Sequence, residues 1–138
     1  GFRLVLAHTV TDDPDMNRCP CYHFDMRSLE SDRRLGKLRF RLGDATRALR
    51  YLGHLGYEVF PEHRGNRYAA RSVKLIVPLA ARHGIEKLWI NCDSRNAASR
   101  RTCELAGAVF CDTVAVPPED VVFKDGIRRL SRYYLVTS

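Results

Sequence analysis

The sequence predicts a mixed α+β domain, a central sheet served by crossover helices, and three observations carry that reading. The hydrophobic period changes along the chain, from strand-like alternation to helical spacing and back. Most glycines and prolines fall at the joints between the periodic stretches rather than inside them. The chain has 138 residues, 45% of them hydrophobic and 28% charged, which are values of an ordinary globular domain able to bury roughly two-thirds of its unfolded surface. No apolar run approaches the ~20 residues that span a bilayer. No charged-apolar leader is recognisable, and Gly1 in place of Met reads as a trimmed N-terminus. The expectation is one soluble cytoplasmic domain over residues 1–138.

The elements follow in order. Phe2–Leu6 is a short apolar strand and Tyr22–Met26 alternates as a half-buried one, with Thr9–Arg18 a polar, Asp-rich loop between them. Ser28–Arg34 is a charged turn. In 37–42, Leu38, Phe40 and Leu42 share one face and three cations the other. Leu55–Phe60 is the next strand, stopped by Pro61 and antiparallel to its predecessor. From Ala69, the positions Val73, Ile76, Val77 and Ala80 follow helical spacing up to His83-Gly84, with Pro78 placed to kink the helix or weaken its last turn. Leu88–Ile90 is a strand. A second helix over 96–105 takes its cap from Asp93 or Ser94 and closes at Gly107. Val109–Val116, stopped by Pro117-Pro118, and Tyr133–Val136 complete the sheet.

The charge is basic, with 23 Lys+Arg against 16 Asp+Glu, a net of +7, and 19 of the cations are Arg. Arginine's planar fork suits phosphate, so an anionic ligand is one reading and a solvated basic face the other. Five cysteines in a chain without a secretion signal argue for reduced thiols. Cys19-Pro20-Cys21 has no partner pair at zinc-ligand spacing, so no metal is expected.

The chemistry concentrates in 57–69, a strand, an Arg/Gly loop and a helix start. A helix N-terminus offers unpaired N–H groups and partial positive charge, so such a junction can receive a pyrophosphate. Gly65 lets the backbone approach that anion, and Arg64, Arg67 and Arg71 can add charge.

Residues Gly53–Ala108 resemble the acyl-CoA-binding core of the GNAT (N-acetyltransferase) superfamily. The family's Arg/Gln-x-x-Gly-x-Gly/Ala motif is matched by Arg64, Gly65, Asn66, Arg67, Tyr68 and Ala69. About thirty residues further on, Asn96, Ser99, Glu104 and Gly107 match a second block, and Trp89-Ile90-Asn91 is similar to the fifth strand. The resemblance is closest to the branch acting on ribosomal-protein N-termini and aminoglycosides. It implies the GNAT fold: a mostly antiparallel sheet whose parallel fourth and fifth strands splay, with flanking helices. It implies acetyl-CoA as cosubstrate without a metal, held by Val59, Phe60, residues 64–69, Asn91, Asn96 and Ser99, and a thioester oxygen met by a backbone N–H of Val59 or Phe60.

Two positions depart from the pattern. Arg67 stands where the motif normally has Gly, and a helical, negative φ is expected there. Cys103 stands where many relatives place a Tyr general acid, so Cys103 is the candidate acid against the reading of a buried thiol. The candidate base is Glu58, then His54, then His63 or Glu62, since direct transfer needs the attacking amine deprotonated. The implied activity is acetyl transfer to a primary amine, a small molecule or a protein N-terminus, by direct attack in a ternary complex. A coenzyme-A-binding module without turnover and a basic nucleic-acid-binding domain stay open. No membrane partner is expected, and a homodimer is the family expectation. Asp12, Asp13 and Asp15 are candidates to favour a cationic acceptor.

Overall fold

The computed structural model describes residues 1–13 and 17–138, with only the backbone at Asp13. The main element order is β1 (Phe2–Asp13), β2 (Cys19–Ser28), β3 (Arg34–Arg41), β4 (Leu55–Val59), a 3₁₀ turn (Pro61–His63), α1 (Tyr68–Arg82), β5 (Lys87–Asp93), α2 (Ala97–Leu105), β6 (Val109–Ala115), α3 (Val121–Lys124) and β7 (Arg129–Val136). The strands form one seven-stranded sheet in the order β1-β2-β3-β4-β5-β7-β6. All neighbours are antiparallel except β4 and β5.

Sequence and structure agree on the alternating strands and differ at three joints. The segment 9–13, read as loop, continues β1, because its backbone pairs with β2 through Thr9–Tyr22 and Val10–Cys21. Two register shifts in this pairing break the alternation that would have marked it. The cap of α2 is Asn96 and not Asp93 or Ser94: its side chain accepts from the Ser99 N–H. The third difference is α3, capped by Asp120, which its four residues leave without a readable period. Pro78 lies inside α1, which continues to Arg82, so the helix is not cut short there.

The main core lies on one face of the sheet. Leu38, Phe40, Leu88, Ile90 and Cys92 of the sheet pack against Ala70, Val73, Ile76 and Ala80 of α1 and Cys103 and Ala106 of α2. Burying that face supplies the stability of the fold, at about 25 cal/mol per Å² of apolar surface removed from water. A smaller cluster, Val116, Val122 and Leu130 with Tyr51 and Leu52, joins the 116–130 segment to the β3–β4 connection.

What matters for the site is how β4 meets β5. The pair is joined at Leu55–Ile90 and, just before it, by His54 N–H to Trp89 O at 2.9 Å. His54 also accepts the Trp89 N–H on Nδ1 at 2.9 Å, so its side chain doubles the clamp at this point. Beyond Leu55 no further β4–β5 pairing occurs, and β4 runs on toward Val59 along β3 alone.

Candidate active site

The open side of β4 has a definite polarity. Phe60 N–H donates to Leu35 O at 2.9 Å, and the β3–β4 register continues through Lys37–Glu58 and Arg39–Gly56. Antiparallel pairs alternate in the direction of their N–H groups, so the residues in step with Phe60 turn their polar groups to β3, while Tyr57 and Val59 turn theirs toward the gap beside β5. Of the two amides expected to meet a thioester oxygen, that of Phe60 is therefore already spent inside the sheet. The Val59 N–H faces the gap.

The gap widens into a cleft of about 470 Å³ lined by Tyr57, Glu58 and Val59 of β4, His63–Ala69 of the turn and first residues of α1, and Asn96, Ala98, Ser99 and Thr102 of α2. Every residue of the 64–69 motif borders it, with Val59, Asn96 and Ser99. His54 and Asn91 do not. His54 is buried, and burial pushes its imidazole below the usual histidine range. Asn91 donates to the carbonyls of Arg50 and Tyr51 at 3.0 and 3.1 Å and lines a separate recess of about 190 Å³ with Arg41 and Asp125.

The loop reaches α1 through left-handed backbone. Gly65 has φ +93° and Arg67 φ +60°, ψ 26°. The negative φ expected at Arg67 is thus corrected: residue 67 is the cap before α1, not its first helical residue, and the chain must reverse there to enter the helix. A side chain in this region costs roughly 1–2 kcal/mol, which is the physical reason glycine suits the position. Arg71 is also redirected, since its guanidinium lies over the Phe2 ring, 4.7 Å from the centroid, and it does not line the cleft. Arg64 is tied to the end of β4, its Nε donating to Val59 O at 3.2 Å.

The start of α1 has no side-chain cap and no acidic residue in its first turn. Its leading N–H groups carry partial positive charge and meet no carboxylate of their own helix. On the same wall His63 Nε2 is buried without a hydrogen-bond partner, the Glu62 carboxylate being 3.8 Å away. Helix-start amides without a side-chain cap, two arginines and an unpartnered ring nitrogen fit an anionic, hydrogen-bonding ligand such as a pyrophosphate.

The other candidates separate by position. The Glu58 carboxylate is 51% exposed and lies 3.5 Å from Lys37 Nζ; Glu58 follows Tyr57 on the strand, so their side chains leave opposite faces. Cys103 is fully buried and does not border the cleft. Over it sits Tyr57, whose hydroxyl lies 3.8 Å from Cys103 Sγ and donates to Ser99 O at 3.4 Å. Burial, with Cys103 adding to it, pushes the Tyr57 phenol well above its ordinary range. Cys92 is likewise raised, by its hydrogen bond with Cys103 and by burial. Sequence reasoning missed Tyr57, which borders the cleft, because an aromatic on the apolar face of a strand reads as core. Of the acidic residues read as drawing a cationic acceptor, Asp12 pairs with Arg18 at 3.0 Å, while Asp15 and the Asp13 side chain lie outside the described residues.

A central sheet opened between two parallel strands, with an uncapped helix start beside the opening, defines a class. The model of the GNAT acetyltransferase domain matches residues 6–109, and the chain belongs to that family. Among solved structures it is similar to a putative ribosomal-protein-serine acetyltransferase from Vibrio cholerae, with TM-score 0.65, 18% identity, and coverage of 84% of this chain and 64% of that one. A mutant spermidine N-acetyltransferase SpeG from Vibrio cholerae gives TM-score 0.64 at 15% identity, covering 86% and 66%. YncA, a putative acetyltransferase from Salmonella typhimurium solved with acetyl-CoA, gives 0.62 at 18%, covering 86% and 65%. The chain thus spans about two-thirds of the length of these structures. No curated protein matches it. Among the described residues no helix is long and apolar enough to cross a membrane.

Proposed function

We propose that this chain is an N-acetyltransferase domain that moves the acetyl group of acetyl-CoA to a primary amine by direct attack in a ternary complex. The observation that carries the reading is the uncapped, acid-free start of α1 opening with Arg64, Gly65 and Arg67 onto the cleft beside the open edge of β4. In this reading the amides of residues 68–70 and the two arginines hold the pyrophosphate. The pantetheine arm follows the gap between β4 and β5, past Asn96 and Ser99. The Val59 N–H donates to the thioester oxygen and holds the charge that develops on it in the tetrahedral intermediate.

The amine comes to the carbonyl carbon from the sheet face that carries Glu58, away from the helices. Glu58 takes the proton that the nitrogen sheds, directly or through water. Family likeness to proteins named for ribosomal-protein and spermidine acetylation suggests polyamines and peptide N-termini as acceptors to try first.

The test has two stages. Coenzyme A should raise the Tm by mass action and give a calorimetric isotherm; millimolar coenzyme A with neither effect overturns the proposal. Release of free thiol from acetyl-CoA is then followed against spermidine, aminoglycosides and short N-terminal peptides. Binding without release across that panel would favour the coenzyme-binding module.

A further inference from the structure

We propose that His54 is a positioning residue of this reaction: by holding both backbone groups of Trp89 it pins β4 to β5 and so sets where the open end of β4 presents the Val59 N–H. The inference rests on the acetyl transfer proposed above. His54 is 3% exposed and does not border the cleft, so it acts through the strands and not on the substrate.

The seam is short and His54 is its middle. It consists of the Gly53–Ile90 bridge, the two His54–Trp89 bonds and the Leu55–Ile90 pair. The Trp89 carbonyl accepts the His54 N–H, and the Trp89 N–H donates to His54 Nδ1, both at 2.9 Å. In a regular parallel ladder two residues of the neighbouring strand share those roles. The His54 carbonyl is engaged from the other side by the Arg41 N–H of β3, at 2.7 Å, so the ring nitrogen stands in for a strand carbonyl. Because β4 carries β1–β3 with it and β5 carries β7 and β6, the seam is the hinge between two halves of the sheet. Val59 lies about 13 Å along the strand from Leu55, so a tilt of ~5° at the hinge moves its N–H by about 1 Å. A misplacement on that scale costs on the order of a hundredfold in rate. The Asn91 contacts to the β3–β4 connection add a tie that does not titrate.

The ring holds this bond only when neutral. Nδ1 accepts the Trp89 N–H, so the single proton sits on Nε2, where the Gly43 carbonyl meets it. A second proton puts an N–H at Nδ1 against the Trp89 N–H, and the bond becomes a meeting of two donors. Burial, with Arg41 adding to it, holds the imidazole below the usual histidine range. The folded protein thus binds this proton less readily than the unfolded chain does. The seam is fully made above the ordinary histidine range and weakens as the pH falls from there through the depressed value. The charged groups around the ring are Arg41 of β3 and Asp44 of the β3–β4 connection, while Arg132 of β7 lies 4.5 Å from the Trp89 ring centroid. Asp44 stays ionised in this window, because its bonds from Thr46 hold it below the usual carboxylate range.

The experiment needs no acceptor. Calorimetry at mildly alkaline pH first establishes that coenzyme A binds, and failure there overturns the acetyl-CoA reading and this inference with it. The thioester carbonyl of bound, isotope-labelled acetyl-CoA is then read by infrared difference spectroscopy. A hydrogen bond from the Val59 N–H shifts that band below its position in free acetyl-CoA, and a wild-type band without the shift overturns the inference. His54→Ala should lose the shift while coenzyme A affinity, carried by the start of α1, stays within about threefold. His54→Asn keeps an acceptor oxygen where Nδ1 stands and should keep the shift, a rescue that loss of packing would not give. In wild type the shift should fade as the pH falls below the ordinary histidine range. In His54→Asn, which has no ring to protonate, it should hold, and this comparison stands even where His54→Ala does not fold. A wild-type shift in folded His54→Ala, loss of the shift in His54→Asn at alkaline pH, or identical pH profiles in wild type and His54→Asn overturns the inference and leaves the coenzyme site standing.

Discussion

Two helix starts border the same cleft and are finished in opposite ways. At α2, Asn96 accepts the Ser99 N–H at 3.1 Å, so one of the orphan amides is satisfied from within the chain. At α1, residue 67 has left-handed backbone, no side chain caps the helix, and the first turn carries no carboxylate. A fold selected for stability alone would cap both, since a cap contributes about 1 kcal/mol. In the proposed reading the difference leaves α1 for a ligand's negative charge and α2 to shape the channel.

The largest effect should come from making α1 resemble a finished helix start. Arg67→Asp replaces a cation with a carboxylate beside the amides that the pyrophosphate would occupy, and Asp tolerates left-handed backbone better than most residues. Coenzyme A affinity should fall about a hundredfold, by loss of a charge-assisted contact plus repulsion, with the Tm of the free protein unchanged or slightly raised. Calorimetry and thermal melts on the same samples check both halves. Unchanged affinity would remove the pyrophosphate from this loop and with it the contrast between the two helices.

At α2 the expected loss is in stability. Asn96→Ala should cost about 1 kcal/mol of folding free energy by deleting the cap. The Asn96 side chain also borders the cleft, so its amide nitrogen is free to meet the pantetheine arm while the oxygen caps. Asn96→Asp separates the two roles: it keeps the cap oxygen and removes the amide donor. Asn96→Asp should hold the Tm of wild type and raise the acetyl-CoA KM about threefold. A KM unchanged in both variants would reduce Asn96 to a cap.

Most of the sheet was legible because its strands alternate: Leu38 and Phe40 against Lys37, Arg39 and Arg41 admit one orientation only. The end of β1 was not, since its pairing with β2 slips register and polar residues fill both faces. The motif at 64–69 was legible as composition and resemblance, yet the residues it would be joined to depend on distances the sequence does not contain. Asn91 and His54 stand close to the motif block in sequence terms, but His54 serves the seam between β4 and β5 and Asn91 ties β5 to the β3–β4 connection, each by contacts to backbone groups. Tyr57 was hidden for the opposite reason: an aromatic on the apolar face of a strand reads as core until its hydroxyl is seen against α2. The conformation of residue 67 was misjudged because Tyr68 and Ala69 suit a helix, and propensity does not say on which residue the helix begins.

The smallest effect, and the one that isolates the strain at α1 from its charge, is Arg67→Gly. With φ at +60°, removing the side chain relieves roughly 1–2 kcal/mol of left-handed backbone cost, against about 0.4–1 kcal/mol of added freedom in the unfolded chain. The free protein should therefore melt slightly higher, by about 0–1.6 kcal/mol of stability. Coenzyme A binding moves the other way, because the backbone amides remain and only an exposed cation is lost; a weakening of about threefold is expected at low salt. Salt screens an exposed charge within about 10 Å at 0.1 M, so the wild-type advantage should shrink as ionic strength rises, while the stability gain, which involves no charge, should persist. The two readouts thus separate within one variant. Tighter coenzyme binding in Arg67→Gly would show that the arginine blocks the pyrophosphate instead of meeting it. A lower Tm would show that the cost of the left-handed backbone is already offset by contacts of the arginine side chain, and that residue 67 is held in place for the fold as well as for the ligand.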